Sequence, residues 1–580
     1  MDQKRPLTEK ELEYAIQHLS DFSDDEDVEP FSSGSSDNYE PESEADSESE
    51  LENDLSFQNS SVSTDNEVSD VEENQTNESP ANQTDTGEVN GILEWTLPSH
   101  SFAPAKNLPR QRDCKINEAI NLHSSPMQIF HKLFPHSLYL KIIECTNQRL
   151  EIMNKNKKQK VKLTDKGEIQ KLLGCIFTMS YNKLPGLKHY WSSKESLGNN
   201  AIQKAMSRDR FMILVLKLYF AHPEKPSSSS KSYYIDELIS CLKYTFSKCR
   251  QDSVYQSIDE SMTKFKGRSS LKQYMPLKPT KRGIKLWLRC DAGSGYIYDM
   301  NIYCGKETNP QENEESLTLG ERVVKLLAST IKQNDVVLCF DRFFTSVHLL
   351  ETLNFPALGT CISNRKNMPA MKEKLQRGQC VFRSTNNGLL CTKWQDTKEV
   401  IVLSNCHGPK IVTITKKTKT GERQTIQIPE AISFYRQKMG GVDRADQFVG
   451  LYDHDRKSNK WWKKVFYTCL NMCAANAWII YNDLRRENKK VPFLTFLVTL
   501  AEELIAEGIQ NTSLPPPRRG PQSKKMKLYG TIPLHLPVEG PTRRRCTRCS
   551  QEKRQTRTKT LCQECNIPLC KDCFKLYHVI

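Results

Sequence analysis

The sequence predicts an α/β protein: a central sheet with helices on its faces, flanked by all-α regions, led by an acidic N-terminal segment and ended by a small cysteine-rich module. Three observations predict this. Residues 254–362 alternate short β-type runs with helical patterns in the order β-β-β-α-β-α-β, which fits a sheet covered by helices. The segments on either side carry apolar residues at helical spacing. Six of the 20 cysteines crowd into the last 35 residues.

A chain of 580 residues exceeds one core and is expected to hold several domains. No apolar run approaches the length of a membrane span. The first seven residues lack the apolar stretch of a signal peptide, so an intracellular protein is expected. The fourteen scattered cysteines then read as small buried side chains rather than a disulfide framework. The net charge of +13 hides a division. Residues 1–100 hold 28 acids and 3 Lys or Arg, a net of −25, which leaves 80 Lys or Arg against 42 acids, +38, in the rest. A body this basic suggests a polyanionic partner such as nucleic acid.

Residues 1–110 are rich in Ser, Asp, Glu and Asn and poor in apolar side chains, so a disordered acidic leader is expected. From Pro126 the pattern is helical. Thr164 or Asp165 can cap a helix whose apolar stripe is Ile169, Leu172, Leu173, Ile176 and Phe177. Residues 206–220 read as another helix. Strands follow at 254–263, 283–290 and 296–303, parted by turn residues such as Gly293 and Gly295. A helix at 322–331 leads into a strand at 335–340, apolar from Val336 to Phe340, then a helix at 347–353 and a strand at 357–362. Asp341 lies just past a strand end, where such sheets place their sites. Residues 375–430 read as a small β-rich insertion with strands at 380–383, 389–394 and 400–403. Beyond Asp446 the chain is helical again, with one stripe through Phe466, Cys469, Leu470, Cys473, Ala474 and Ala477 and a further helix at 493–505. Pro515 opens a linker ending near Arg545. Its basic clumps Arg518-Arg519 and Lys524-Lys525-x-Lys527 fit a nuclear-import signal.

The stretch Gly440-Gly-Val-Asp443-Arg-Ala-Asp446-Gln447 sets two acids one helical turn apart, after glycines suited to a loop-to-helix turn. Asp259, in Ser257-Ile-Asp259-Glu260, and Asp341 add carboxylates from two other elements. Acids delivered by three elements can hold divalent metal, and carboxylates are hard ligands suited to Mg²⁺ or Mn²⁺. At the other end, Cys546-x2-Cys549, Cys562-x2-Cys565 and Cys570-x2-Cys573 with His578 have the spacing of Zn²⁺ ligands. A module of about 35 residues has too small a core to fold without metal. Seven ligands are visible and two closed sites need eight. Either one site borrows a ligand, or it stays open, or a single zinc binds.

Taken together, these motifs resemble the piggyBac transposase family. The resemblance rests on Ser257-Ile-Asp259-Glu260, on Lys278-Pro279-x-x-Arg282-Gly283-x-Lys285, on Asp341 with Thr345-Ser346, on the Gly440–Gln447 stretch and on the cysteine-rich end, and runs from about residue 120 onward. It implies an RNase H-like catalytic core at 254–449 that includes the β-rich insertion, with Asp259, Asp341 and Asp443 as the metal-binding catalytic triad and Asp446 in support. Helical regions at 120–253 and 450–510 would form a dimerisation and DNA-binding domain. A basic linker at 511–545 would lead to a zinc-binding domain at 546–580 that binds transposon ends. The implied protein is a nuclear homodimer that cuts double-stranded DNA and joins it at TTAA targets. In the family water nicks each end, the freed 3′-OH forms a hairpin that is reopened, and the same 3′-OH attacks target DNA. Arg456, Lys457 and Lys460 beside Trp461 match a basic-aromatic family motif and are expected phosphate contacts. Two positions depart from the pattern: Arg342 follows the second acid, where Asn is common, and Arg436 follows Tyr435. Neither removes a ligand. They leave room for an alternative, a host-adopted transposase-derived protein that binds DNA without cutting it. A third reading makes the cysteine-rich end a protein-interaction module.

Overall fold

A computed structural model describes residues 94–155, 160–276, 278–305, 317–417, 423–454, 458–511 and 535–578. The disorder expected for residues 1–93, the import signal at 518–527 and the phosphate contacts Arg456 and Lys457 lie outside the described residues. The chain divides into two compact units, one ending at Thr512 and one beginning at Ser513.

Six helices precede the main strands of the first unit: α1 (Pro126–Leu133), α2 (His136–Lys155), α3 (Lys166–Tyr181), α4 (Asn200–Ala205), α5 (Arg208–Lys217) and α6 (Tyr233–Cys249). Two lie among the strands, α7 (Leu319–Ala328) and α8 (Val347–Thr352). Four follow, α9 (Glu430–Lys438), α10 (Gly441–Leu451), α11 (Trp461–Asp483) and α12 (Phe493–Gln510). Asp165, not Thr164, caps α3: its carboxylate accepts the Glu168 N–H at 2.8 Å. The predicted stripe from Ile169 to Phe177 is buried, and so is the rest of α3 from Gly167 to Ser180. The reason is α12, which lies against it. A Cβ on Gly174 would stand 2.8 Å from the Ala501 carbonyl oxygen, so glycine sets the approach of the two helices. Helices from both ends of this unit share one apolar core with Leu286, Leu288, Ile297 and Met300 of the sheet. Each fully buried phenylalanine there, Phe130, Phe177 and Phe246 among them, contributes about 1.5–3 kcal/mol.

The sheet has ten strands in the order β1-β8-β9-β10-β7-β6-β2-β4-β3, with β5 also paired to β4. They are β1 (Trp95–Thr96), β2 (Tyr255–Lys264), β3 (Lys272–Tyr274), β4 (Arg282–Asp291), β5 (Ile297–Ile302), β6 (Val337–Phe340), β7 (Ala357–Thr360), β8 (Cys380–Thr385), β9 (Leu390–Gln395) and β10 (Glu399–Ser404). Only β2–β6 and β6–β7 pair in parallel. As a central parallel strand demands, β6 is apolar and buried throughout. Leu338 and Phe340 pack with Val324 and Leu327 of α7 and Leu350 of α8. Val337 and Cys339 pack on the other face with Leu358 and Ile432 of α9.

Three expectations need correction. Residues 94–110 do not belong to a disordered leader. Trp95 and Thr96 pair with Thr385 and Ser384 of β8, the Trp95 indole donates to the Asn367 carbonyl at 2.8 Å, and Arg112 grips Asp335 with contacts of 2.5 and 2.8 Å. The acidic composition of the leader as a whole masks these few anchoring side chains. The strands expected as a small insertion instead widen the central sheet, because β10 pairs antiparallel with β7, Val402 opposite Thr360. Only β11 (Ile411–Lys417) and β12 (Arg423–Pro429) stand apart as a hairpin. Finally, the expected linker ends too late: β13 (Pro537–Arg545) is a strand of the second unit.

In that second unit β13 pairs antiparallel with β14 (Arg557–Cys562), beside α13 (Thr547–Gln551) and α14 (Lys571–His578). Its buried apolar side chains are Cys546, Cys549, Cys562, Leu569 and Cys573. Four of the five are cysteines, so the fold has almost nothing to close on except metal.

Candidate metal centres

The central carboxylate site follows from strand register. Ile258 of β2 lies beside Phe340 of β6, so the next residues, Asp259 and Asp341, emerge side by side where β6 ends. Glu260 joins them, and oxygens of the three carboxylates lie within 4.8 Å of one another. In the sequence Glu260 stands out only as part of the Ser257–Glu260 motif, and its adjacency to Asp259 is the one signal of its role. Two hydrogen bonds order the group: Asp259 accepts the Glu260 N–H at 2.7 Å, and Asp341 accepts the Phe343 N–H at 2.9 Å.

Asp443 and Asp446 arrive on α10. A small gap decides how close that helix comes. A Cβ on Gly441 would stand 2.4 Å from Ser257 Oγ and 2.7 Å from the Asp291 carbonyl oxygen, and the Val442 N–H donates to Ser257 Oγ at 3.2 Å. Gly441 thus lets the start of α10 rest on β2, whereas a Cβ on Gly440 would meet nothing within 4 Å. Gly441→Ala is expected to lower unfolding free energy by about 1–3 kcal/mol in urea titrations through this overlap; wild-type stability would mean that α10 slides freely. Asp446 accepts a hydrogen bond from Ser261 Oγ at 2.5 Å. Asp443 is exposed, and its carboxylate is not among the three that converge. The structure therefore brings together two of the three predicted metal acids directly and sets the third on the neighbouring helix.

Lysines balance this charge. Lys278 Nζ donates to the Glu260 carbonyl at 3.1 Å and lies 3.6 Å from its carboxylate. The charges of Asp259, Glu260, Asp443 and Asp446 all act on Lys278 and outweigh the burial that opposes its charge. Burial lowers the pKa of Lys285, although Glu260, Asp259 and Asp341 pull it the other way. Even so, burial pushes Asp259 up to about 8 and Asp446 up to about 6, and it raises Asp341. Burial also works against the Glu260 carboxylate, yet Asp259 and Lys278 bring it below its ordinary value. Clustered carboxyls whose ionisation is costly without a cation, all hard oxygen donors, fit a divalent metal ion. Both departures from the family pattern are engaged or outward. Arg342 is exposed, and Arg436 pairs with Asp396 at 3.0 Å over the Trp394 ring.

The second unit holds two four-ligand sets. Cys546, Cys549, Cys570 and Cys573 form one, His535, Cys562, Cys565 and His578 the other. Cys549 Sγ lies 3.5 and 3.8 Å from the Cys573 and Cys570 sulfurs. His535 Nδ1 lies 3.4 Å from each sulfur of its set, and Cys565 Sγ is 3.7 Å from His578 Nε2. Tetrahedral Zn²⁺ with bonds of about 2.3 Å to sulfur and 2.0–2.1 Å to nitrogen needs ligand separations of roughly this size. His578 Nδ1 donates to the Phe574 carbonyl at 2.9 Å, which leaves Nε2 free to bind metal. The missing eighth ligand is therefore His535. It sits in the stretch expected to be linker, eleven residues before Cys546, and a lone histidine at that distance carries no spacing signal. The sets interleave, first cysteine pair with third, second pair with the two histidines.

Of the expected phosphate contacts, Lys460 is exposed just before α11, while Trp461 is half-buried and packs on the helical core. No helix among the described residues is long and apolar enough to cross a membrane.

Two family models match the chain, one within each unit. Residues 125–478 match the family described as Transposase IS4, and residues 533–579 match the DDE_Tnp_1-like zinc finger. Human PiggyBac transposable element-derived protein 3 is 28% identical over 429 residues, 71% of this chain and 70% of that protein. Human PiggyBac transposable element-derived protein 2 is 24% identical over 457 residues, 76% and 75%. The fold is similar to that of the piggyBac transposase in a cryo-EM structure of its synaptic complex with hairpin DNA, with a TM-score of 0.61 and 20% identity, covering 80% of this chain and all of that one.

Proposed function

Since the chain belongs to the piggyBac-type transposase family, we propose that it is a DNA transposase that cuts and joins strands by phosphoryl transfer. The observation that carries this reading is the meeting of Asp259 and Asp341 across two parallel strands, with Asp443 and Asp446 of α10 near enough for their charges to act on Lys278. Antiparallel β2, β4 and β5 beside parallel β6 and β7 support an RNase H-like core. Asp259, Asp341 and Asp443 would hold Mg²⁺ or Mn²⁺, and Asp446 supports them through Ser261. Such ions supply Lewis-acid polarisation of the phosphodiester and neutralise charge on the leaving 3′ oxygen. Burial raises the pKa of Asp259, Asp341 and Asp446, so metal binding would release protons. Lys278 and Lys285 are placed to meet DNA phosphates once the carboxylates turn to metal.

The partner is double-stranded DNA: transposon ends bound in part by the zinc-binding module, and TTAA targets. A body of net +38 predicts binding that falls steeply with salt. Arg456, Lys457 and Lys460 contribute phosphate contacts there. The working form is a homodimer in the nucleus. Incubating the protein with Mg²⁺ and labelled ends bearing TTAA is expected to give nicks and hairpins. Asp443→Asn should lose both and keep DNA binding. Tight binding of cognate ends by the unaltered protein without any cleavage would overturn the enzyme and leave the host-adopted binder.

A further inference from the structure

Phe343 lies two residues beyond Asp341 and is 38% exposed, while its neighbour Phe344 is fully buried. Its ring stacks on Trp287 at 5.5 Å and 18°, and Phe344 braces it edge-on at 5.1 Å. Trp287 is itself buried, and on β4 it stands directly opposite Glu260. Lys285 Nζ lies 4.0 Å from the centre of the Trp287 ring and 5.1 Å from that of Phe343. The turn beneath is fixed, because Arg365 donates to the carbonyls of Arg342 and Phe343 at 2.7 and 2.9 Å. A rigid aromatic surface open to solvent, with a cation against it and three carboxylates beside it, is therefore built into the margin of the metal centre.

We propose that Phe343, seated on Trp287, is a stacking platform for one unpaired DNA base, and that Lys285 takes the phosphate next to it. This rests on the reading of the carboxylates as a DNA-processing site. Every nucleobase has a π-face and every nucleotide an anionic linkage, so a ring beside an ammonium group matches both halves of the ligand. The hairpin expected of this reaction turns one strand back on the other, which forces bases at its tip to leave their partners. A base so exposed loses its stacking, and the ring replaces what it loses. A protein partner on the same ring would have no use for the adjacent carboxylate–lysine arrangement.

The test uses the full chain in Ca²⁺, where no strand is to be cut, and two probes. One is a DNA stem closed by a TTAA loop with 2-aminopurine at a loop adenine; the other is the same stem fully paired. The wild type is expected to prefer the loop and to quench its fluorescence. Phe343→Ala should weaken loop binding roughly tenfold and restore emission, with duplex affinity changed less than twofold. Phe343→Trp should retain both properties, and melting curves check that each variant is folded. Equal losses on the two probes, an unaltered loop affinity, or no loop preference in the wild type would each overturn the platform. If the loop is quenched but Mg²⁺ gives no cleavage of cognate ends, the transposase reading falls and the platform stands. If ends are cut and Phe343→Ala binds the loop as wild type does, the reverse holds.

Discussion

Asp259→Asn is expected to abolish Mg²⁺-dependent strand cleavage and, in the same protein, to strengthen the metal-free fold. The first effect follows from losing a metal ligand. Metal stabilisation of a transferring phosphoryl group is worth several kcal/mol, so the loss is roughly a thousandfold or more in rate. The second follows from linkage. Burial holds the Asp259 carboxyl at about 8, against 3.8 for an ordinary aspartate. Between those values the fold keeps a proton that the unfolded chain has released. The stability belonging to the neutral form is thus complete below pH 4 and is lost as pH rises towards 8, at up to about 1.4 kcal/mol per pH unit. Urea melts of metal-free protein should weaken from pH 5 to pH 8, and the asparagine variant should show a flatter dependence. Mg²⁺ at pH 8 should restore the wild type by mass action and leave the variant unmoved. An identical pH slope in both proteins would place the charge strain at another group. Residual Mg²⁺-dependent cleavage close to the wild-type rate would remove Asp259 from the metal site.

His535→Ala is expected to halve the zinc content, from two ions per chain to one, measured on the purified protein. The all-cysteine set should keep its ion, since it shares no ligand with the other. His535→Cys restores an N/S donor set and should recover two. Chelation should go further and unfold residues 546–580, because apparent zinc-binding energies of about 10–16 kcal/mol dwarf anything that Leu569 and a few half-buried side chains can supply. The unit ending at Thr512 has its own apolar cores and should melt unchanged. Two tightly held ions in His535→Ala would show that a different donor closes the second set.

Much of this arrangement is visible in the sequence, and the limits have physical causes. The run from Val336 to Phe340 is wholly apolar because β6 is buried on both faces, and that run pointed to Asp341 at its end. The stripe through Ile169 and Phe177 was equally plain because helix periodicity is local. Partners far apart in sequence are not local. Nothing within 380–404 says that β10 will pair with β7, so strands of the main sheet looked like a separate insertion. His535 has no paired neighbour, unlike each cysteine, and went unnoticed for that reason. Glu260 was hidden differently. Neighbours on a strand point to opposite faces, so its convergence with Asp259 and Asp341 needs the geometry of the end of β6 and the pull of Lys278.

The short pairing of Trp95 and Thr96 with β8 has a consequence for handling the protein. A sheet margin is a row of unsatisfied amide and carbonyl groups, ready to recruit a strand from another molecule. Here two residues occupy that margin, and Trp95 and Arg112 tether the segment at either end. A gene trimmed to begin at α1 would look sensible, since the regular helices start there. It would strip the cover from β8 and leave Asp335 without its arginine. A soluble fragment should begin ahead of Glu94.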